Sequence, residues 1–399
     1  MIDSQLPLSG VRILDLTWVM VGPTTTRYLA DLGATVIKVE SAGRLDPVRT
    51  LGPFLDDEAG INRSVSYHNF NAGKRSVAVD LKHPDAGSVL HPLIRWADVV
   101  VESFAPGVAG RLGLDEPGVR AVRHDVIMVS TSIGGVEWGG GVGTMGAAIC
   151  GATHLMGEPD SAPLGPFGPW TDEVAPRYIA ISILAALRRR AATGRGSYID
   201  VSQAEAGIQF LLPAVYQQAF DGVTPMPRPA DLPDPWRCPA NAYECAEGRW
   251  IAIDGSSDKS FESLRAMVGG DLLDERYTTL LGRLACRGEV DLAISNWTRE
   301  WGAAELERQL QAHGVPAHVA SSTTDLGVDD DLRVSMLTSI DLPEGRACDV
   351  VRRSFRWNGQ LDPVRRGPRL GEHTDEVLRD VCGLDDVEIA RLREARVLT

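Results

Sequence analysis

The sequence predicts an α/β fold, with a parallel sheet in a large domain and a smaller inserted α+β domain. Three observations carry that expectation. β-branched runs alternate with helical patterns over about the first 130 residues, as in a parallel sheet buried on both faces. A stretch at 221–239 holds six prolines and marks a change of domain. The chain has 399 residues, more than one simple core accommodates.

The elements follow in order. VRILDL (11–16) reads as a buried strand. Gly22-Pro23 is expected to break it, and TTTRYLADLG (24–33) reads as a helix stopped by Gly33. ATVIKVE (34–40), SVAVDL (76–81), DVVVESF (98–104) and VIMVSTS (126–132) are further strands, with GSVLHPLIRWA a helix among them. From about 172 to 220 the pattern reads as helical throughout. There Ile179, Ile181, Ile183, Leu184 and Leu187 predict burial nearly all round, ahead of the basic end Arg188-Arg189-Arg190. Beyond the prolines, NAYECAEGRWIAIDG reads as a hairpin turning at Gly248, and SFESLRAMVGG and AELERQLQAHG as helices. DDVEIARLREARVL reads as a closing helix. The expected division is a large domain from 1–225 and 325–399, and a small domain from 226–324.

Composition narrows the function. A net charge of −14 argues against a general nucleic-acid binder, which needs a basic face. It leaves room for an anionic small ligand held by a few local cations and amides. Cys150, Cys238, Cys245, Cys286, Cys348 and Cys382 are scattered without a CxxC pair, so neither a zinc site nor a redox motif is expected. MIDSQLPLSG lacks a signal-peptide pattern, and no apolar run approaches the length of a membrane span. A cytoplasmic protein with no membrane partner is the expectation.

The first βαβ unit invites a dinucleotide reading, with Glu40 placed where an acid holds a ribose. Against it, TWVMVGPTT has one glycine, and Pro23 lacks an amide donor. GVGTMG (141–146) matches GxGxxG but lies beyond its strand, inside GGVEWGGGVGTMG. A flexible or close-approach loop explains it better. No Walker A, GxSxG, HExxH or EF-hand pattern is present. His313 and His318 flank a Gly314-Val315-Pro316 turn, and nothing local singles out His124 or His154 as a base.

Asp172 stands just before a long apolar helix, in GPFGPWTDEVAPRYIAISILAAL. Spacing alone favours an N-cap, worth about 1 kcal/mol. The functional alternative is a carboxylate in a dry pocket that attacks a thioester carbonyl. In that case the amides of the helix start hold the developing oxyanion.

Read in order, LSGVRILDLTWVMVGPTTTRYLADLGATVIKVE, NAGKRSVAVDLKHP, DVVVESFAPGVAGRLGLD, TDEVAPRYIAISILAALRRRAATGRGSYIDVSQAEA, HGVPAHVASSTTDL and LGEHTDEVL resemble the class III CoA-transferase family, also called the carnitine dehydratase/bile-acid-inducible protein F (CaiB/BaiF) type. The resemblance runs essentially end to end. It implies a Rossmann-like large domain built from both chain termini, a small domain, and two subunits interlocked as rings. It implies transfer of coenzyme A between an acyl-CoA and a free carboxylic acid, with Asp172 as nucleophile. The implied course passes through an aspartyl anhydride and an aspartyl-CoA thioester, with coenzyme A as substrate moiety and no permanently bound metal or redox cofactor. The implied CoA contacts are Met20, Val21, Val79, Asp80, Leu81, Lys82, Ser103, Phe104, Ala105, Arg111, Ser132, Gly134 and Gly135.

The chain departs from the pattern in places. Pro176 stands where many relatives have Gly, a substitution that the first turn of a helix tolerates. Ser41 and Ser132 replace basic residues of some relatives, and GGVEWGG lacks the usual glycine-proline pattern. Gly255-Ser256-Ser257 is a candidate for the glycine loop that covers the site in some members. Two rivals stand beside transfer. A CoA-ester racemase of the same fold needs an acid/base pair, typically His with Asp; the racemase branch of the resembled family has a Gly-His-Asp stretch where this chain has GGVEWGG (134–140), without histidine. A non-catalytic CoA-binding subunit would work only in a heteromer with a paralogue. Trp18, Trp138, Trp170 and Trp236 suggest an aromatic acyl pocket, or ordinary core packing.

Overall fold

The computed structural model describes residues 6–136, 140–157, 160–226, 236–328, 330–342, 346–357 and 364–399. The chain divides into two compact units. One draws on both chain ends (Met1–Met156, Pro163–Pro225 and Val334–Thr399), and the other holds Gly157–Ala162 and Met226–Arg333. Among the described residues, no helix is long and apolar enough to cross a membrane.

The large unit is built on β1 (Arg12–Leu16), β2 (Thr35–Glu40), β3 (Arg75–Ala78), β4 (Val99–Glu102), β5 (Ile127–Ser132) and β6 (Ser197–Ser202). These pair in parallel in the order β3-β2-β1-β4-β5-β6. The order reverses between β1 and β4, and the crevice at the carboxyl ends of those strands is where open α/β sheets bind ligands.

Period-two alternation sends successive side chains to opposite faces. Leu14, Ile37, Val77, Val100 and Met128 pack against Val89, Leu90, Leu93 and Ile94 of the helix Gly87–Trp96, together with Val377, Leu378, Ile389 and Leu392. Ile13, Val36, Val99, Val101, Ile127 and Val129 meet Leu29, Ala175, Ile179 and Ile183 on the other face. The helices are α1 (Val21–Asp31), α2 (Gly87–Trp96), α3 (Gly143–Ile149), α4 (Trp170–Thr193), α5 (Gln203–Phe210) and α6 (Leu212–Asp221).

Three sequence expectations need correction. Gly22-Pro23 does not precede the first helix, since α1 begins at Val21 and Pro23 sits in its first turn. No intrahelical bond is lost there. The 172–220 stretch is not helical throughout, because SYIDVS forms β6. As an edge strand paired only with β5, it alternates partly buried and exposed residues and lacks a continuous apolar run. Nor is α4 buried all round: Ile179 and Ile183 are fully buried, whereas Ile181 is 65% exposed.

The small unit has an antiparallel sheet of β7 (Ala240–Glu244), β8 (Trp250–Asp254) and β9 (Ala317–Val319). Gly248, with φ of 68°, lies in the connection between β7 and β8. Ile251 and Ile253 pack with Phe261, Leu264, Val290, Ile294, Leu306 and Leu310 in its own core. Ser257 caps the helix that follows β8.

A buried ionic network lies under the β1–α1 loop. Lys38 Nζ is 3.2 Å from Asp46 Oδ2, and Lys74 Nζ is 2.8 Å from Asp15 Oδ2, with all four side chains fully buried. Lys38 also donates to the Thr17 carbonyl (2.6 Å), and Lys74 to Asn71 Oδ1 (2.9 Å) and the Pro23 carbonyl (2.9 Å). Asp46 Oδ1 accepts the amide of Val19 (3.0 Å), which sits at φ 64°. Burial alone would raise the Asp15 carboxyl, but the ammonium groups of Lys74 and Lys38 hold it below the ordinary carboxylate range.

Removing one member of such a pair leaves the other charge buried and uncompensated. Lys74→Met is expected to cost about 3–5 kcal/mol in urea unfolding. Asp15→Asn combined with Lys74→Met should cost less than Lys74→Met alone.

Candidate active site

Asp172 lies inside the first turn of α4, two residues past its start at Trp170. The cap position is Pro169, and no side chain caps the helix. The cap reading of Asp172 therefore fails. Its residue is 7% exposed. Among the described residues, no hydrogen-bond donor or cation pairs with its carboxylate. Burial, and then the neighbouring charge of Glu173, push its pKa up to about 7. Burial likewise raises Glu173, which Arg177 approaches only to 3.9 Å.

The helix-start amides are partly committed. Trp170 N donates to Gly168 O (3.0 Å), and Asp172 N to Pro169 O (2.9 Å). The expectation that such amides hold an oxyanion is corrected for these two. Pro176 lies beyond the first turn, inside α4. Having no N–H, it leaves the Asp172 carbonyl without its helical donor.

The CoA-contact candidates lie along the carboxyl edge of the sheet. Met20 and Val21 open α1 and are buried. Val21 packs in the same core cluster as Ala175 and Ile179 of α4, so the β1 loop and the Asp172 helix share one scaffold. Ser103 Oγ accepts the Trp18 amide at 3.0 Å, and the Phe104 ring meets Trp18 edge-on with centroids 6.4 Å apart. These contacts join the loops after β1 and β4 at the switch point.

The other candidates surround that point. Val79 is buried and donates its amide to Glu40 O, and Lys82 N donates to Asp80 Oδ1. Leu81 packs on the core and Lys82 is exposed. Ala105 and Arg111 are exposed. Ser132 closes β5 and donates to the Gly135 carbonyl (2.7 Å), and Gly134 and Gly135 are buried. The four segments thus share one edge of the sheet, with Val79–Lys82 at its β3 end.

Sequence reasoning missed Arg44, whose guanidinium stacks 4.9 Å over the Trp18 ring. Ser41 drew attention to one position after β2, while a cation stands a few residues on. Exposed Arg44, Lys82 and Arg111 supply charges suited to phosphate. Glu40 is not open to a ribose: Arg49 pairs with it at 2.7 Å, and Tyr67 and Ser76 donate to it. Trp170 packs on Phe210, with centroids 5.6 Å apart, and with Ala147 and Cys150. Trp236 is exposed and Trp138 lies outside the described residues. His124 and His154 are exposed.

The carboxylate carries a stability cost that depends on pH. The fold retains the Asp172 proton up to about pH 7, whereas an ordinary Asp loses it near 3.8. The folded state binds the extra proton across that interval, so its stability falls as pH rises through it. Asp172→Asn is expected to raise stability at pH 8 by roughly 2–4 kcal/mol in chemical denaturation, with little gain at pH 4.

The family model described as CoA-transferase family III matches residues 8–374. The chain is 29% identical to the succinyl-CoA–D-citramalate CoA-transferase of Chloroflexus aurantiacus, over 98% of each chain. It is 29% identical to the succinyl-CoA–L-malate CoA-transferase beta subunit of the same organism, over 99% of each. It is 30% identical to the succinate–glutarate CoA-transferase of Agrobacterium fabrum, over 94% of this chain and 96% of that one. Its fold matches a CaiB/BaiF family protein from Brucella suis with a TM-score of 0.83 and 28% identity, covering 94% and 99% of the two chains. A doubly wound sheet, a buried carboxylate at a helix start and this end-to-end likeness converge: the chain belongs to CoA-transferase family III and is a CoA-transferase.

Proposed function

We propose that the enzyme moves coenzyme A from an acyl-CoA to a free carboxylic acid through covalent intermediates on Asp172. The observation that carries the reading is its carboxylate, nearly buried, unpartnered among the described residues and pushed up to about 7. A carboxylate stripped of donors is a stronger nucleophile than a paired one, and a pKa near working pH keeps a usable fraction ionised.

In this reading an Asp172 oxygen attacks the thioester carbonyl and the C–S bond breaks, giving an aspartyl anhydride and CoA thiolate. The thiolate attacks the aspartyl carbonyl of the anhydride and releases the donor acid. The acceptor carboxylate attacks the resulting aspartyl-CoA thioester and expels the thiolate again. Attack of that thiolate on the acceptor's acyl carbon restores Asp172 and releases the new acyl-CoA. Met20, Val21, Ser103 and Phe104 line the switch-point crevice, and Arg44, Lys82 and Arg111 attract the CoA phosphates. The relatives are named for succinyl-CoA or succinate with D-citramalate, L-malate or glutarate. Succinyl-CoA as donor and a short dicarboxylic acid as acceptor fit the same pattern here.

The same reading assigns the exposed apolar face to a second copy of the chain. α6 has no buried residue, Phe220 is 82% exposed, and Ile181 and Phe210 are exposed as well. Faces of this kind mark association surfaces.

With succinyl-CoA and a panel of dicarboxylates, kcat/KM is expected to rise through pH 7 on its acid side as Asp172 ionises. Asp172→Asn should lose transfer by more than about 1,000-fold while remaining folded. An acid limb unchanged near pH 4, or an active Asp172→Asn, contradicts the assignment. Native mass spectrometry should show twice the chain mass of 43.1 kDa, and Phe220→Asp should weaken that dimer. A monomer active alone contradicts the assigned face. Activity only after addition of a paralogous chain would make the partner a different subunit.

A further inference from the structure

We infer that Gly143 is a positioning residue for Asp172, and that the GVGTMG stretch exists to let α3 close on the first turn of α4. The inference rests on Asp172 being the nucleophile and concerns what holds it in place. A Cβ built on Gly143 would lie 2.5 Å from Asp172 Oδ2 and 2.5 Å from Pro169 Cβ. Real Cβ contacts do not come that close. Gly143 is absent from the positive-φ glycines, so space rather than backbone conformation demands it.

The neighbouring contacts repeat the pattern. A Cβ on Gly146 would lie 2.3 Å from Thr171 Oγ1. The Thr171 hydroxyl donates to the Gly143 carbonyl at 3.1 Å, and Thr171 is fully buried. From the α5 side, a Cβ on Gly207 would lie 2.9 Å from Cys150 Sγ and 3.3 Å from Thr171 Cγ2. The residue before Asp172 is therefore clamped between two helices through positions that have no side chain. Gly141, the first glycine of the motif, differs. Its Cβ would meet Ile133 Cγ1 at 3.3 Å and Met145 Sδ at 3.5 Å, a contact that flexible side chains absorb.

A displacement of about 1 Å at a reacting group costs on the order of 100-fold in rate. Gly143→Ala is expected to lower kcat by roughly that factor and leave KM for acyl-CoA unchanged. Gly141→Ala, on the same loop, should keep parental kcat. A second measurement isolates the steric contact. Gly143→Ala should destabilise the parent more than it destabilises Asp172→Ala, because the second background lacks the carboxylate that the new methyl meets. If Gly143→Ala alone is insoluble, recovery of soluble protein in the Asp172→Ala background supports the proposal, and failure to recover it counts against it. Parental kcat in Gly143→Ala, or equal destabilisation in both backgrounds, overturns it. Activity retained by Asp172→Ala would sink the nucleophile assignment instead, and the stability comparison would still decide the steric contact.

Discussion

Lys38 and Asp46 meet 3.2 Å apart with neither side chain exposed, and Lys74 meets Asp15 beside them. Buried ions persist only when every charge is answered, because desolvation otherwise exceeds the attraction. The answer here is geometric. Lys38 reaches from β2 to the Thr17 carbonyl, Lys74 reaches the Pro23 carbonyl, and Asp46 takes the Val19 amide. The β1–α1 loop is thereby fixed by charges on either side of it. Trp18 is tied to Ser103, and Val21 packs beside Ala175 and Ile179 of α4. The crevice and the helix bearing Asp172 inherit their positions from this network.

That dependence gives physical content to segments visible in the sequence only as a resemblance. In NAGKRSV, Lys74 donates to Asp15 and to Asn71 Oδ1, while Ser76 donates to Glu40 and accepts the Gly371 amide. In LGEHTDEV, Thr374 accepts the Ala78 amide, and His373 exchanges hydrogen bonds with the backbone of Ser76. These segments build the scaffold beneath the crevice, and they join the chain's end to its beginning.

The central strands were legible because burial on both faces makes β1, β2, β4 and β5 rich in β-branched and other apolar residues, even where β1 and β2 carry the buried charges Asp15 and Lys38. β6 was not, since an edge strand can afford polar residues at alternate positions. Asp172 was legible as important only through resemblance. Its local signal matched a helix cap, and the lack of partners among the described residues that distinguishes it is a three-dimensional property. The ionic network stayed hidden because Asp15 and Lys74, or Lys38 and Asp46, look like ordinary surface charges until the sheet brings them together. GVGTMG matches GxGxxG only in form, and the close approach expected of its glycines is what Gly143 and Gly146 provide, admitting one helix against another. Ile181 reads as a core residue from the apolar run of its helix but faces outward in a single chain, as does Phe220.

Leaving a carboxylate nearly buried without a partner costs stability, as sites held ready for chemistry often do. The account stands on what that carboxylate does. Its most direct test is to incubate the enzyme with succinyl-CoA, quench with hydroxylamine, and map the modified peptide by mass spectrometry. The account predicts a donor-dependent hydroxamate on Asp172 that disappears in Asp172→Asn. A hydroxamate on another residue, or none with any acyl-CoA that the enzyme turns over, would contradict it.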